Sequence, residues 1–350
     1  MQRYIGLDVH ARSCTLAVVG ESGKRLRSQV VDTAANPLIS FIKSVAGRTH
    51  VCLEEGTQSA WIYEVLKPHV DSIIVTHQSE SKGPMRSKDD LRDAFALAEA
   101  LRLGSVTAVY KEQKGFGTLK SLVEVYTMTS RDTVRVQNRI KALFRSRGVD
   151  TSGKTIYMLK HRDSFLDKLP KAYRASGQVL FEQYDAMRNS NKQAKQLMEQ
   201  QLSRHAISRV IATCPGFGEV RVAQFLVTVI SPYRFCSKRK FWSYCGLGIV
   251  MRSSSDWVQE RGCWQRSEVV QTRGLNRDFN RTLKSIFKGA ATTVIDTKQR
   301  PLYDVYQSLL SNGTKPPLAK LTIARKIAAI ALVLWKKKEK YDPAYETEKG

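Results

Sequence analysis

Cysteine and histidine are sparse in this sequence, and their spacing excludes several classes of enzyme. Six cysteines and six histidines are spread over 350 residues, without a C-x-x-C pair or a histidine cluster. This spacing argues against a zinc site, a disulfide framework and a Cys/His hydrolase. The sequence also lacks an apolar run long enough to span a bilayer and a signal peptide at its start, so we expect no membrane partner.

Acidic residues are few relative to basic ones. The chain has 57 Lys and Arg against 32 Asp and Glu, which gives a formal net charge of +25. An excess of this size attracts polyanions, and nucleic acid is the leading candidate. Hydrophobic residues make up 42% of the chain, so we expect a folded protein with room for two domains.

The first 112 residues alternate between strand and helix patterns. Three β-rich runs, RYIGLDVH, SCTLAVVG and KRLRSQVV, predict a three-stranded meander. Helical and strand patterns then alternate as far as VTAVY. The order β-β-β-α-β-α-β-α-β predicts an α/β domain over residues 1–112, with a mixed sheet flanked by helices. This element order is that of the ribonuclease H-like fold.

The rest of the chain is predicted to be mostly helical. Residues 113–206 contain two long stretches with helical spacing, which indicate an antiparallel hairpin or coiled coil. This region could be a solvated linker, or it could serve oligomerisation or nucleic-acid binding. Residues 207–345 are predicted to form a mostly α C-terminal domain.

Acidic residues stand at predicted strand ends and at the start of one helix. Asp8 lies in the first strand, Glu54 and Glu55 end a later one, and Asp90 and Asp93 begin a helix. Carboxylates placed in this way can converge, and oxygen ligands suit Mg²⁺ or Mn²⁺. Two such ions about 3.5–4 Å apart can polarise a phosphodiester. The alternative for Asp90 is a simple helix N-cap.

Two features of the C-terminal half indicate nucleic-acid binding. The turn PGFG places Gly216 and Gly218 before a predicted helix, where backbone N–H groups can bind a phosphate; an ordinary connection between helices is the alternative. The segment YRFCSKRKFW interleaves cations with aromatic rings, which can neutralise phosphates and stack on bases. A further candidate cation, Arg252, precedes a serine run. The complete set of candidate cations is Arg234, Lys238, Arg239, Lys240 and Arg252.

That serine run is RSSSDW, with Ser253, Ser254 and Ser255 in succession, and it is predicted to be a loop. A serine hydroxyl is a weak nucleophile unless a neighbouring group activates it. No histidine follows it in the chain, so a Ser-His-Asp hydrolase is disfavoured. A metal-assisted attack on a phosphodiester needs no histidine, and it would connect this segment to the distant carboxylates.

In combination, these motifs resemble a known family. The ordered set IGLDVH, EEGT, KDDLRDA, CPGFG, YCGLG and the serine-rich segment resembles the DEDD transposases of the insertion-sequence one-ten family. The related Piv-type DNA invertases share the pattern. The resemblance extends from about Tyr4 to Trp335 and implies a RuvC-like N-terminal domain and a nucleoid-associated protein of the bacterial cytoplasm.

The resemblance also implies roles for individual residues. Four acids would bind Mg²⁺ or Mn²⁺, and a serine counted from Gly246-Leu247 would form a covalent phosphoserine link to DNA. The implied catalytic set is Asp8, Glu55, Asp90, Asp93 and Ser254. Glu54 remains an alternative to Glu55, as do Ser253 and Ser255 to Ser254.

The partners implied by the resemblance are donor and target DNA, and a structured bridge RNA that pairs with both. A homo-oligomer, either a dimer or a tetramer, would bring the acids of one subunit to the serine of another. Three competing hypotheses stay open: a Piv-like site-specific invertase, a RuvC-like junction nuclease that uses water, and a nucleic-acid binder without activity in which the acids are only caps.

Overall fold

The computed structural model describes residues 1–77, 89–109, 115–254, 257–260, 263–266 and 270–343. The chain divides into two compact units, Met1–Glu112 and Gln113–Gly350. Among the described residues, no helix combines the length and the apolar character that crossing a bilayer requires.

The N-terminal unit is built on a mixed sheet with helices on both faces. Its strands are β1 (Gln2–Val9), β2 (Ser13–Gly20), β3 (Arg25–Asp32), β4 (Arg48–Glu54), β5 (Ser72–Thr76) and β6 (Ala108–Val109). Its helices are α1 (Ala35–Lys43), α2 (Ser59–Leu66) and α3 (Asp90–Arg102). The strand order is β3-β2-β1-β4-β5-β6, with β4 parallel to both β1 and β5. The predicted mixed sheet with flanking helices is confirmed.

Alternation along β1 assigns its residues to the two faces of the sheet. Ile5 and Leu7 are fully buried in the core that also contains residues of α1 and α2. Gly6 lies on the opposite face, where an added Cβ would overlap the backbone of α3. Asp8 is two residues further along β1 and therefore shares the α3 face, at the carboxyl end of the strand.

The C-terminal unit is mostly helical, as predicted, but its described residues also include four short strands. Its helices are α4 (Gly117–Arg145), α5 (Leu159–Asp167), α6 (Lys171–Ser203), α7 (Ala206–Ile211), α8 (Glu219–Val229), α9 (Lys238–Tyr244), α10 (Arg281–Asp296), α11 (Leu302–Ser311) and α12 (Pro316–Lys337). Its strands are β7 (Ile249–Ser254), β8 (Trp257–Glu260), β9 (Cys263–Arg266) and β10 (Val270–Leu275).

The long helices α4 and α6 pack against each other as an antiparallel pair. Near one end, the rings of Phe144 and Phe181 lie 5.8 Å apart. Further along, the side-chain amide of Asn191 on α6 donates to the hydroxyls of Thr129 and Ser130 on α4, at 3.0 and 2.7 Å. The contacts move towards the start of α4 as they move towards the end of α6, so the helices are antiparallel. The hydrogen bonds of Asn191 fix the register of the pair.

The core of the C-terminal unit is rich in aromatic residues. Phe225 of α8 lies 5.9 Å from the ring of Phe287 on α10 and 5.3 Å from that of Trp335 on α12. Phe225 and Phe287 are fully buried. Three helices far apart in sequence are therefore joined by edge-to-face and tilted ring contacts, which add to the hydrophobic stabilisation.

The four strands of this unit form two antiparallel pairs, β7 with β10 and β8 with β9. Ser254 is in register with Val270, and Ser253 with Gln271. The prediction of a loop at the serine run is thus wrong for residues 252–254. The segment pairs because a strand about 16 residues later supplies partners for its backbone N–H and C=O groups.

Candidate active site

Two acidic residues of the N-terminal unit come together where β1 meets the start of α3. Asp8 lies at the end of β1, and Asp90 is the first residue of α3. The two carboxylates can approach because Gly6 has no side chain: a Cβ there would overlap the carbonyl oxygen of Ala94 and lie 2.6 Å from the amide nitrogen of Ala98. Gly6 therefore permits the close packing of β1 against α3 on which this cluster depends.

His10 joins the two aspartates, although sequence reasoning did not select it. Its Nε2 atom lies 3.2 Å from an oxygen of Asp8 and 3.2 Å from an oxygen of Asp90. One ligand atom from each of these three side chains lies within 4.8 Å of the others. Two carboxylate oxygens and one imidazole nitrogen at this separation can bind a single divalent cation.

The helix cap at this position is Asp89, and not Asp90. The Asp89 side chain accepts a hydrogen bond from the backbone N–H of Leu91 at 3.1 Å. Asp90 and Asp93 both lie in the first turn of α3. They are three residues apart, so they are neighbours on the helix surface. Because Asp89 performs the capping, the cap alternative considered for Asp90 does not describe this helix.

The electrostatics of Asp8 reflect this crowding. Burial raises the pKa of the Asp8 carboxyl above its ordinary value; His10 opposes the rise, and the negative charges of Asp90 and Asp93 add to it. The negative charge of Asp93 therefore acts on Asp8, although the three side chains that share one position are Asp8, His10 and Asp90. Several carboxylates in a partly buried position are the setting in which a bound cation offsets their mutual repulsion.

The two glutamates at the end of β4 differ in position. Gly6 and Cys52 are in register on the parallel strands β1 and β4, so Glu54, two residues beyond Cys52, is on the same face as Asp8. Glu55 follows the strand; its backbone N–H donates to the carbonyl of Thr76 at 2.8 Å. Its carboxylate lies 3.5 Å from Nδ1 of His77. Both glutamates stay candidates for the cluster.

The predicted serines lie in the other unit. Ser253 and Ser254 are the last two residues of β7, and Ser255 falls outside the described residues. Arg252 precedes them on the same strand, in register with Thr272 of β10. Ser253 and Ser254 thus end one arm of an antiparallel ribbon.

Comparison with protein-family models matches two parts of the chain. Residues 5–147 match a model described as a transposase, of the DEDD type of IS110 elements. Residues 208–307 match a model described as transposase IS116/IS110/IS902 family. The first match includes all the clustered acids, the second includes the serine run, and together they cover more than half of the chain. The chain belongs to the IS110 family of DEDD transposases.

As a member of the IS110 family, the protein is an enzyme that cuts and rejoins DNA. The predicted resemblance to the insertion-sequence one-ten family, the enzymatic activity and the DNA partner are confirmed. A comparison with curated proteins found no match.

The glycine turn of this IS110 transposase is held by its own fold. Gly216 has a φ of +74°, and an added Cβ would overlap the carbonyl oxygen of Ala290. Its backbone N–H donates to Oε1 of Gln299 at 3.0 Å, so that donor is already engaged within the protein. Gly218 is the N-cap residue of α8 and has open space beside it, which leaves it the better candidate for a backbone phosphate contact.

Four of the predicted basic residues of the transposase divide into two groups. The Arg234 guanidinium donates to the carbonyl of Val229 at 3.0 Å and lies 5.4 Å from the centres of the Phe235 and Tyr244 rings, so it stabilises the local fold. The cations of the first turn of α9, by contrast, are exposed to solvent. They are Lys238, Arg239 and Lys240.

Proposed function

We propose that this transposase joins DNA through a serine nucleophile, with a divalent cation held by the acids of its N-terminal unit. The observation that carries the proposal is the convergence of Asp8, His10 and Asp90 where β1 meets α3. Such a cluster is typical of a centre that acts on phosphodiesters. The serine run of β7 supplies the hydroxyl group.

The residues present fit a divalent cation. Asp8 and Asp90 would supply oxygens and His10 a nitrogen, while Asp93 and Glu55, or Glu54, would complete the set. The raised pKa of Asp8, caused first by burial, fits a carboxylate whose negative charge needs compensation. When bound, Mg²⁺ or Mn²⁺ would polarise the scissile phosphate and stabilise the leaving oxygen.

In the proposed reaction, Ser254 exchanges one ester of the DNA phosphate for another. A bond forms between Oγ of Ser254 and the phosphorus, and the bond from phosphorus to the leaving DNA oxygen breaks. The proton of the serine hydroxyl is balanced by the proton gained on the released DNA hydroxyl. A second DNA hydroxyl then attacks the phosphoserine ester, restores the serine and joins the new strands.

The test of the nucleophile is the covalent adduct. We expect Ser254→Ala to abolish protein–DNA species that survive denaturing electrophoresis, while binding of the same DNA is retained. Ser253→Ala is the matched control on the same strand and is expected to form the adduct. An adduct that persists in Ser254→Ala and disappears in Ser253→Ala or Ser255→Ala would move the role to that neighbour. Cleavage by a variant lacking all three serines would instead indicate hydrolysis by water.

We propose further that the transposase works as a homo-oligomer, with the acids and the serine of one site contributed by different subunits. Mixing Asp8→Asn with Ser254→Ala tests this arrangement. If sites are shared between subunits, the mixture is expected to recover adduct formation that neither variant shows alone. If each chain contains its own complete site, the mixture stays as inactive as its components.

We propose that a structured RNA guides the choice of DNA, which the excess of 25 positive charges and the exposed cations of α9 support. Purification of the protein from its host, followed by sequencing of the RNA bound to it, tests this proposal. One discrete RNA encoded beside the gene is the expected result. A mixture that reflects cellular RNA abundance would argue against guidance and in favour of an invertase.

A further inference from the structure

Two tryptophans of the C-terminal unit are exposed to solvent on neighbouring strands. Trp257 on β8 has a relative exposure of 59% and Trp264 on β9 one of 65%. Large aromatic side chains are normally buried. Two exposed indoles on a pair of strands with four residues each are therefore unusual. Neither belongs to the acid cluster or to the basic segment YRFCSKRKFW.

Both indoles lie on the same face of the strand pair. Trp257 is directly opposite Arg266, and Gln259 is directly opposite Trp264. Directly opposed residues of an antiparallel pair share a face, as do residues two apart on one strand. Trp257, Gln259, Trp264 and Arg266 therefore form one surface, called here the tryptophan face, and all four are exposed.

The tryptophan face combines aromatic rings with a cation. The Arg266 guanidinium lies 5.6 Å from the centre of the Trp257 ring, a cation–π arrangement that leaves the charge at the surface. The two tryptophans occupy diagonal positions, for which the expected separation is about 7–8 Å. Two rings at this separation can each stack on one base of an extended strand, and Arg266 can neutralise a neighbouring phosphate.

We propose that the tryptophan face binds single-stranded DNA, by stacking Trp257 and Trp264 on unpaired bases. A stacking surface needs unpaired bases, because those of a duplex are already stacked on one another. The DNA partner follows from the family, and the positive charge of the chain complements it. Unpaired strands arise when DNA is cut and rejoined.

The position of the face in the chain fits this role. Trp257 is three residues after Ser254, so their Cα atoms are separated by at most about 11 Å. A strand bound on the face would thus lie close to the end of β7. The binding itself does not depend on the serine mechanism: adduct formation tests the nucleophile, and binding of an oligonucleotide tests the face.

The test measures binding of a short fluorescein-labelled oligo(dT) to the full chain by anisotropy. We expect Trp257→Ala and Trp264→Ala each to raise the Kd on the order of tenfold, and the double variant to raise it further. No charge is removed, so the dependence of affinity on salt concentration is expected to stay the same. Affinity for a duplex of equal length is also expected to be unchanged.

The matched control is Gln265→Ala, an exposed position on the opposite face of the same strands, which is expected to bind like the unaltered protein. Trp264→Phe keeps an aromatic ring and is expected to retain most of the affinity, which separates stacking from a loss of fold. Unchanged oligo(dT) binding by the double variant overturns the proposal.

Two other results also overturn it. Loss of oligo(U) binding with intact oligo(dT) binding would assign the face to RNA. A change in oligomeric state by light scattering, with intact oligo(dT) binding, would show that a second copy of the chain covers the face.

Discussion

The two units hold their candidate functional residues in different ways. In the N-terminal unit, Asp8 lies at the end of a strand of a six-stranded sheet, and Asp90 begins a helix that packs directly on that sheet. In the C-terminal unit, Ser254 ends β7, which forms a two-stranded pair with β10, and Trp257 and Trp264 are exposed. Two-stranded pairs are stabilised far less than larger sheets.

This difference indicates a division of labour. Carboxylates that bind a common cation must be held close together against their repulsion, which requires a rigid and well-packed support. The proposed nucleophile and the proposed stacking surface would instead have to meet a DNA strand that changes its connections during the reaction. Variants that affect only one of the two units test this comparison.

The largest expected effect is that of Asp8→Asn. This change removes the negative charge of a proposed cation ligand, and we expect DNA cleavage to fall by about a thousandfold or more. DNA binding and the melting temperature are expected to change little. Asp32→Asn, at the exposed end of β3, is the control in the same sheet. Cleavage at the normal rate by Asp8→Asn would remove the acids from the mechanism.

The next effect is that of His10→Ala on metal affinity. If the imidazole nitrogen binds the cation, its removal should raise the Mn²⁺ concentration needed for half-saturation by roughly 10- to 100-fold. Titration of Mn²⁺ followed by electron paramagnetic resonance measures this without any reaction. His161→Ala, in the helix α5, is the control. Tighter Mn²⁺ binding by His10→Ala would show that the histidine only competes with the cation for the carboxylates.

Gly6→Ala is expected to act on stability and activity together. The added methyl overlaps the backbone of α3, and we expect a loss of about 1–3 kcal/mol in the free energy of unfolding, together with reduced cleavage. Denaturant unfolding and cleavage assays measure the two effects. Gly20→Ala on β2, where the nearest neighbour of an added Cβ is 3.5 Å away, should change neither strongly. Equal results for the two variants would contradict the close approach of α3 to β1.

A smaller and pH-dependent effect is expected for Asp185→Ala in the long helical pair. The buried Arg162 guanidinium binds both oxygens of Asp185, at 2.5 and 2.6 Å, and this hydrogen bonding lowers the pKa of Asp185. Because Asp185 is partly exposed and screened by water, we expect a loss of about 1–2 kcal/mol. The melting temperature of the Asp185→Ala variant should fall, while its cleavage rate per folded molecule stays constant.

The sign of the pH dependence follows from the lowered pKa. The carboxylate of Asp185 contributes its stability above the pKa of the unfolded chain, about 3.9, and loses it as the pH falls through the lower folded value. The difference in the free energy of unfolding between the Asp185→Ala variant and the unaltered protein should therefore decrease below about pH 4. Asp163→Ala, an exposed neighbour of Arg162, should show no such difference at any pH. If Asp185→Ala still has a lower free energy of unfolding than the unaltered protein in acid, the contribution of the ion pair would be contradicted.

The sequence predicted the N-terminal sheet well, because its strands are short, regular and separated by polar turns. It also indicated that Asp8 and Asp90 could converge, since strand ends and helix starts meet at one edge of such a sheet. His10 was missed because histidines were compared along the sequence. The available signal was the spacing Asp8-x-His10, because two residues that are two apart in an extended segment point to the same side; His10 directly follows the end of β1.

The C-terminal unit was harder to predict, for a physical reason. The serine run becomes a strand only through β10, and the N–H of Gly216 is engaged by Gln299, 83 residues later. Both features depend on contacts between segments that are distant in sequence. The pattern of neighbouring residues does not reveal such contacts. The exposure of Trp257 and Trp264 is of the same kind, because an indole has the same sequence signature in a core and on a surface.

The amide of Asn191 has a consequence for how far the long helical pair reaches. Its hydrogen bonds to Thr129 and Ser130 would be lost if α6 slid along α4 by a single turn of about 5.4 Å. The 29 residues of α4 therefore form a spacer of fixed length, about 44 Å from end to end. The far tip, near Arg147 and Val149, is therefore held at one constant distance from the start of α4.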